Sequence, residues 1–404
     1  MTRTFVFAIW FLVNNIYQWC SCVFICPTNN GFYPNNNDQH SFYSCSNDIP
    51  YLIQCPSNLV WHQEKLQCDW IDEILPSKCQ PYKQPDNRSP KKWLSNGIPL
   101  IGKDSNWGSD LEHLGSPFGI FVDKHKNAIY VADSDNSRVQ KYDLITKVTT
   151  TVAGLTGSKG SNSNQLQLPR SVYVDRDENI YIADTDNNRI QLWLKGAREG
   201  ITVAGGNGKG KNLNQIGACQ YIWVDESENN TIYISDFYND RVVKWIPFAE
   251  TSTVVAGGHG SGKKSNQLSL PRGIYLDKCK NLYIADLFNH RIQLWMKDSE
   301  DGITVAGGNG QGNARNQLYD PWDVKVDEYG NVFVADATNK RIQKWEPNAS
   351  EGETVVGGKG WGSDANQFKE PVSLDFDSEG NLYISDFRNH RIQRFQIDKT
   401  AVDV

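Results

Sequence analysis

The feature that most constrains this chain is a short pattern that recurs six times at nearly constant spacing. The pattern is Asp-x-x-Asn-x-Arg, and its copies begin at Asp133, Asp184, Asp236, Asp286, Asp336 and Asp386. Successive copies lie 50 to 52 residues apart. Self-similarity at a fixed period of this length is the signature of repeat architectures, in which each unit is one supersecondary element. Six equivalent units are therefore expected across residues 97–395.

Each unit reads as four short strands. In most units a proline precedes a short alternating run such as 172–175, an apolar run such as 331–336, a string such as Arg-Ile-Gln-x-Trp, and a final run such as 303–307. Turn residues separate the runs, and no helical period connects them. Gly-rich stretches join successive units, and none of them carries the Gly-Lys-Ser/Thr sequence of a phosphate-binding loop. Four strands in each of six units predict an all-β, six-bladed β-propeller.

The ends of this region complement one another. The last unit stops at residues 391–395 and lacks a fourth strand. Upstream of the first unit, residues 97–102 (GIPLIG) match the fourth-strand pattern at 302–307 (GITVAG). We therefore expect 98–101 to supply the outer strand of the sixth blade, which leaves no open sheet edge there.

The units resemble NHL repeats over the whole of 97–395. The strings that carry the resemblance read Tyr-Ile-Ala-Asp-x-x-Asn-x-Arg-Ile-Gln-x-Trp and are clearest at 181–193 and 283–295. The resemblance implies a six-bladed propeller and agrees with the strand count.

The N-terminus predicts export. Residues 1–22 contain one positive charge at Arg3, an apolar run at 5–13 and small residues before position 23, which is the order of a secretory signal peptide. The alternative is a buried N-terminal strand. No apolar run reaches the ~18 residues that a membrane span needs. Three glycosylation sequons fit an extracellular location, at Asn87, Asn229 and Asn348.

Residues 23–79 are dense in cysteine. Five cysteines in so short an exported segment predict a disulfide-stapled module, namely Cys26, Cys45, Cys55, Cys68 and Cys79. A zinc site is the competing interpretation, and the lack of a C-x2-C pair disfavours it. Residues 80–96 predict a solvated linker, because residues 80–93 are rich in proline and charge. Residues 396–404 form a C-terminal tail.

The module resembles the type-2 (peritrophin-like) chitin-binding family. The matching pieces are GFYP at 31–34, FYSC at 42–45, CPSNLVW at 55–61 and CDW at 68–70. The resemblance implies disulfides Cys26–Cys45 and Cys55–Cys68. Gln39 stands where the family has its second cysteine, so Cys79 has no partner within the module.

The same resemblance implies that chitin is bound by exposed aromatic side chains, whose flat faces stack on the C–H face of a sugar ring. The candidates are Tyr43, Tyr51, Trp61 and Trp70. Tyr51 and Trp61 are favoured because they lie between Cys45 and Cys68, whereas Trp70 adjoins a cysteine and suits packing. In so small a module, one or two of the four are expected inside.

A partner-binding surface is predicted where the repeats differ. Residues shared by all six units are interpreted as scaffold, and variable loop residues on one face are interpreted as functional. Blades three, four and six carry large residues in the loop after the conserved Asp, and Trp322 lies nearer the axis. The predicted surface comprises Phe237, Tyr238, Leu287, Phe288, Trp322, Phe387 and Arg388. The alternative is that these side chains pack between blades.

Charge and composition narrow the function further. The net charge of −6 disfavours nucleic acid as a partner. No converging histidines suggest a metal or catalytic site, so we predict a non-enzymatic protein without cofactor. The alternative is a secreted propeller enzyme, a hydrolase or a relative of the amidating lyases, with its site in the axial funnel. Cys219 and Cys279 are predicted free thiols, because they lie too far apart to bridge each other. The chain is thus predicted to bind chitin and to recruit a protein or peptide.

Overall fold

The computed structural model describes residues 30–34, 41–46, 49–54, 60–62, 67–69 and 92–402. Five short strands belong to the N-terminal module. Three form an antiparallel sheet in the order β1-β2-β3, and two pair with each other. Their bounds are β1 (Asn30–Pro34), β2 (Ser41–Ser46), β3 (Ile49–Gln54), β4 (Val60–His62) and β5 (Gln67–Asp69). Trp61 stands opposite Cys68 in the second pair.

The rest of the described chain forms six antiparallel sheets of four strands each, which confirms the predicted six-bladed propeller. Blade one comprises β7 (Pro117–Asp123), β8 (Ala128–Asp133), β9 (Arg138–Asp143) and β10 (Thr149–Gly154). Blade two comprises β11 (Pro169–Val174), β12 (Ile180–Asp184), β13 (Arg189–Trp193) and β14 (Ile201–Gly205). Blade three comprises β15 (Cys219–Asp225), β16 (Thr231–Asp236), β17 (Arg241–Trp245) and β18 (Thr253–Gly257).

Blades four to six follow the same plan. Blade four comprises β19 (Pro271–Leu276), β20 (Leu282–Asp286), β21 (Arg291–Trp295) and β22 (Gly302–Gly307). Blade five comprises β23 (Pro321–Val326), β24 (Val332–Asp336), β25 (Arg341–Trp345) and β26 (Glu353–Gly357). Blade six comprises β27 (Pro371–Phe376), β28 (Leu382–Asp386), β29 (Arg391–Phe395) and β6 (Ile98–Ile101). The first strands of neighbouring blades contact one another around the central axis.

The core lies between the blades. The second strands are buried along their whole length, because both faces of each sheet pack against a neighbouring sheet. Four tryptophans at the ends of third strands are almost completely buried, namely Trp193, Trp245, Trp295 and Trp345. Phe395 occupies the same place in blade six. Large aromatic residues at this repeated position fill the wide outer part of the space between sheets.

The recurring Asp-x-x-Asn-x-Arg motif ties two loops together. In blade four, one carboxylate oxygen of Asp286 accepts from Arg291 Nε at 2.7 Å and from the Asn289 amide at 2.8 Å. The other oxygen accepts from the Ser269 backbone N–H at 2.7 Å. The Arg291 guanidinium also donates to the carbonyl oxygen of Gln267 in the preceding loop. The motif therefore serves the scaffold, as predicted.

Short 3-10 turns carry the motif loops of blades two to six. They span Thr185–Asn187, Phe237–Asn239, Leu287–Asn289, Ala337–Asn339 and Phe387–Asn389, and a further turn spans Lys399–Val402. The residue after each loop turn has a left-handed backbone, for example His290 at φ 53° and His390 at φ 50°.

The ring closes through β6, as the sequence predicted. Ile101 stands opposite Ile392, and Pro99 stands opposite Gln393. The propeller also extends upstream of its predicted start at 97, because Trp93 of the predicted linker is buried. Its ring lies 5.6 Å from that of Phe333, and its indole N–H donates to the Gly380 carbonyl at 3.0 Å.

The two propeller cysteines differ. Cys219 is free and buried at the start of β15. Cys279 is disulfide-bonded, so the prediction of a free thiol there is wrong. Cys279 lies half-buried in the turn between β19 and β20. The distance from Cys219 excludes a bridge between these two cysteines but not a bridge from Cys279 to another cysteine.

The predicted disulfides of the module fall mostly outside the described residues. Cys45 is buried and disulfide-bonded. Cys26 and Cys55 lie outside the described part of the chain, as does the side chain of Cys68. Among the described residues, no helix is long and apolar enough to cross a bilayer.

Candidate functional site

The propeller has two ends with different residues. We call the end that carries the Asp-x-x-Asn-x-Arg loops the loop face. We call the opposite end, which carries the turns between first and second strands such as 277–281, the turn face. The sequence prediction placed a partner surface on the loop face, and the structure adds a cavity on the turn face.

On the loop face, the two variable positions of each motif loop point in opposite directions. Phe237 and Leu287 occupy the first position and are only 7% and 4% exposed. They pack together with Ala218 between blades. Tyr238 and Phe288 occupy the second position and are 57% and 56% exposed. Phe237 and Leu287 therefore do not belong to the predicted exposed surface, because the 3-10 turn directs them inward.

The remaining predicted residues lie around the axis on this face. Trp322 and Phe387 are partly buried, and their rings lie 5.2 Å and 5.8 Å from that of Phe118. Arg388 is exposed and forms an ion pair with Glu370. These aromatic rings cluster around the axis at this end, and Tyr238, Phe288 and Arg388 are the exposed members of the predicted surface.

Two arginines pack against this aromatic cluster. The Arg272 guanidinium lies 3.6 Å from the ring centroid of Trp322, and that of Arg170 lies 4.5 Å from Phe118. Burial, with repulsion from Arg170 as the next cause, lowers the pKa of Arg272 to about 9, so it remains protonated at neutral pH. Arg170 Nε, Arg272 Nε and Arg272 Nη1 have no hydrogen-bond partner among the described residues. The loop face thus holds positive charge without a full set of acceptors.

On the turn face, the axis opens into a cavity of about 630 Å³, which we call the axial funnel. Its walls come from the same position in all six blades, four residues after the first residue of the innermost strand. These residues are Phe121, Tyr173, Trp223, Tyr275, Lys325 and Asp375. The first four rings follow one another at centroid distances of 4.8, 5.5 and 4.8 Å. Aromatic rings therefore line four blades, and opposite charges line the other two.

Polar groups lie at fixed positions in the funnel. Tyr173 donates its hydroxyl to Glu226 at 3.1 Å, and burial raises the pKa of Tyr173, so the hydroxyl keeps its proton. The Asp375 carboxylate accepts from the backbone N–H groups of Val122 and Phe376 at 2.8 and 2.9 Å. The Lys325 amine lies 5.0 Å from the Trp223 ring. These contacts preorganise donors and acceptors beside the aromatic walls.

A second cavity of about 310 Å³ adjoins the funnel. Its lining includes Trp93, Asp277 and Lys278, and it shares Tyr275 and Phe376 with the funnel. We call the two cavities together the turn-face groove. The groove runs from the axis to the place where the chain arrives from the N-terminal module.

Sequence reasoning missed this groove. The signal was present, because the six residues at the funnel position differ among the repeats. The predicted surface instead includes the position just after the start of the first strand, which holds Phe118, Arg170, Gln220, Arg272, Trp322 and Val372. The two positions lie at opposite ends of the axis.

The predicted chitin-binding residues are described only in part. Tyr43 is half-buried in β2. Tyr51 and Trp61 lie on β3 and β4, but their side chains fall outside the described set, and Trp70 lies outside it altogether. Of the sequons, Asn229 is exposed and Asn348 is half-buried, each in a turn, and Asn87 is outside the described residues. Within the described residues, no three His, Cys, Asp or Glu side chains cluster as a metal site.

Two families match separate parts of the chain. Residues 26–79 match the Chitin binding Peritrophin-A domain. Residues 166–192, 318–345 and 368–395 match the NHL repeat. Both matches agree with the resemblances seen in the sequence.

Individual relatives match short segments. Protein SUPPRESSOR OF QUENCHING 1 of Arabidopsis thaliana is 33% identical over 108 residues, which is 24% of this chain and 10% of that protein. NHL repeat-containing protein 2 of Homo sapiens is 34% identical over 85 residues, 20% of this chain and 12% of the relative. Protein obstructor-E of Drosophila melanogaster is 32% identical over 59 residues, 14% and 24% of the two chains. The chain thus spans a quarter or less of the length of these relatives.

Solved structures share the fold. A Bacteroides thetaiotaomicron protein of unknown function aligns with a TM-score of 0.60 at 15% identity, over 92% of this chain and 84% of that one. A gluconolactonase from Xanthomonas campestris aligns with a TM-score of 0.53 at 10% identity, over 78% of this chain and 97% of that one. At these identities the likeness concerns the propeller fold alone.

Proposed function

We propose that this chain, which joins a Peritrophin-A chitin-binding domain to a propeller of NHL repeats, is a secreted, non-enzymatic protein that attaches to chitin and presents its propeller to a second protein or peptide. The domain match at 26–79 is the observation that carries the chitin assignment. The signal-like residues 1–22 and the cysteine-dense module support an extracellular location.

Tyr238 and Phe288 support the role as a platform. They are exposed on neighbouring blades, and the equivalent positions of other blades hold Asp135, Asp186 and Thr338. The fold therefore does not require aromatic residues there. Covering one such ring in an interface contributes roughly 1.5–3 kcal/mol.

The exposed rings of the loop face indicate which partner fits. The nitrogens of Arg170 and Arg272 that have no partner among the described residues are buried against Phe118 and Trp322, so they belong to the interior of this end. A partner segment with an apolar side chain complements the exposed rings of Tyr238 and Phe288.

The chitin assignment is tested with the intact protein. Sedimentation with chitin beads should retain the protein, whereas cellulose beads should not. Trp61→Ala and Tyr51→Ala should weaken retention on chitin, and Trp361→Ala, which removes an exposed propeller tryptophan, serves as the matched control. An intact, folded protein that remains in the supernatant with chitin would refute the proposal.

The platform is tested on the same beads. Protein immobilised on chitin is exposed to extracellular fluid, and retained proteins are compared with those on beads that carry the Tyr238→Ser/Phe288→Ser double variant. A partner should be lost from the variant, whose melting temperature should match wild type because both side chains are exposed. Equal capture by both proteins would exclude this surface. Stoichiometric metal in the purified protein would favour the enzymatic alternative.

A further inference from the structure

We propose that the turn-face groove is a second saccharide-binding site, which takes a linear oligosaccharide of N-acetylglucosamine. The site lies on the propeller, apart from the chitin-binding domain. The choice of sugar rests on the proposed function, because the domain at 26–79 identifies the polymer that this chain meets.

The aromatic wall of the funnel is the first observation. Phe121, Tyr173, Trp223 and Tyr275 form a continuous arc, whereas Lys325 and Asp375 occupy the same position in blades five and six. Because the fold accepts a lysine and an aspartate at this position, it does not itself require four aromatic rings. A pyranose ring presents an apolar C–H face that stacks on flat side chains. The arc therefore suits a sugar better than a strongly charged ligand.

The polar groups of the funnel match the rest of the sugar. Carboxylates of Asp123, Asp175, Glu226 and Asp375 line the cavity together with the amine of Lys325. Carboxylate oxygens accept hydrogen bonds from hydroxyl groups and from the acetamido N–H, and the amine donates to the acetamido carbonyl. The funnel thus combines aromatic walls with charged and polar groups of both signs, including Lys124, Lys126 and Arg176, and its volume falls within the usual range for a ligand site.

The shape of the groove indicates a linear ligand. The funnel and the second cavity share Lys124, Tyr275, Val326 and Phe376, so they form one elongated depression. Its outer end is lined by Trp93, the first core residue after the linker from the chitin-binding domain. A chain of several sugar rings extends along such a depression, whereas a single small molecule fills only one end.

Calorimetric titration of the intact protein with the N-acetylglucosamine tetramer tests the proposal. Wild type should bind at two sites, one on the module and one on the propeller. Tyr275→Ala removes a ring that lines both cavities and should weaken one site about tenfold, while the other is unchanged. Tyr319→Ala removes a half-buried tyrosine of the loop face and is the matched control.

A melting curve decides which variant is used. If Tyr275→Ala melts early, Tyr275→Leu keeps apolar volume against its neighbours, removes the flat ring and should show the same loss. A single binding site in wild type that the Tyr275 variant leaves unchanged, or equal titrations for wild type, the Tyr275 variant and the Tyr319 control, would refute the proposed groove site.

Failure of the groove is separable from failure of chitin attachment. If the Tyr275 variant is retained on chitin beads and the titration of wild type shows no propeller site, the groove proposal is refuted and the proposed function stands. If wild-type protein is not retained on chitin beads, the proposed function is refuted instead.

Discussion

At the scale of single residues, the conserved Asp of each repeat is the main polar anchor of its blade. Each of the six side chains is fully buried. We predict that Asp286→Asn lowers the free energy of unfolding by ~3–5 kcal/mol, because it leaves the Arg291 guanidinium without its buried counter-charge. Urea unfolding measures the change. Asp186→Asn, at an exposed loop position, is the control and should stay within ~0.5 kcal/mol of wild type. Equal effects of the two variants would contradict the anchoring role.

We predict that two histidines at the blade junctions make the propeller less stable in acid. His290 Nδ1 accepts from the Asp320 backbone N–H at 3.3 Å, and His390 Nδ1 accepts from that of Ser116 at 3.1 Å. Burial is the largest effect on both side chains and lowers their pKa. For His290, Asp320 raises the pKa by a smaller amount and Lys263 lowers it. For His390, Asp135 and Asp386 raise the pKa by smaller amounts and Lys369 lowers it. Below the ordinary histidine pKa of ~6.5, the unfolded chain therefore binds protons that the folded protein excludes, and stability falls as pH decreases.

We expect the melting temperature of wild type to fall between pH 7 and pH 5. The double variant His290→Asn/His390→Asn should fall less, since asparagine tolerates the left-handed backbone, supplies an acceptor oxygen and does not titrate. Parallel melting curves for the two proteins across this range would show that these histidines are not responsible.

At the scale of elements, closure of the ring depends on more than β6. Trp93 packs against Phe333 and Phe376, and its backbone pairs with Ile397. We predict that Trp93→Ala destabilises the propeller by ~3–5 kcal/mol, the range for removal of a buried tryptophan side chain. Leu94→Ala changes an exposed neighbour and should cost far less. Thermal or urea unfolding compares them, and a Trp93→Ala protein as stable as the Leu94→Ala protein would place the propeller start further downstream.

The count of cysteines predicts one disulfide between the chitin-binding domain and the propeller. Of the seven cysteines after position 22, Cys219 is free, and both Cys45 and Cys279 are bonded. If the family pairing Cys26–Cys45 and Cys55–Cys68 holds, Cys79 and Cys279 remain for each other. The stretch 80–93 reaches ~45 Å when extended, and Trp93 lines the same cavity as Lys278, beside Cys279.

Peptide mapping of the unreduced protein should therefore yield a cross-linked peptide that contains Cys79 and Cys279. A Cys79 that is alkylated without reduction, or one mapped to a cysteine of the module, would contradict this pairing.

The repeats explain how much of the structure the sequence could predict. The sequence predicted the blade count, the role of Asp286 and the closing strand at 98–101. Each of these patterns recurs in several repeats, so one copy can be checked against the others. The inward turn of Phe237 was not, since the direction of a side chain in a 3-10 turn depends on the neighbouring blade. The arc of rings at Tyr173 and Tyr275 joins residues about 100 positions apart, and only the closed ring brings such positions together.

At the scale of the whole molecule, the two ends of the propeller have separate tasks in this account. The loop face carries an aromatic cluster around the axis and exposes Tyr238 and Phe288. The turn face is open at the axis, and Trp93 marks where the chain arrives from the chitin-binding domain. A protein held on chitin through that domain and the turn-face groove would leave its loop face accessible.

Chitin sedimentation of two separate fragments, residues 23–92 and 93–404, tests the central claim most directly. The cut falls before Trp93, so that the propeller keeps its closing residues. The account predicts that the 23–92 fragment is retained on chitin beads at a level close to that of the intact protein, and that the 93–404 fragment is retained more weakly through its groove. A folded, disulfide-bonded 23–92 fragment that stays in solution would contradict the claim that this domain attaches the protein to chitin.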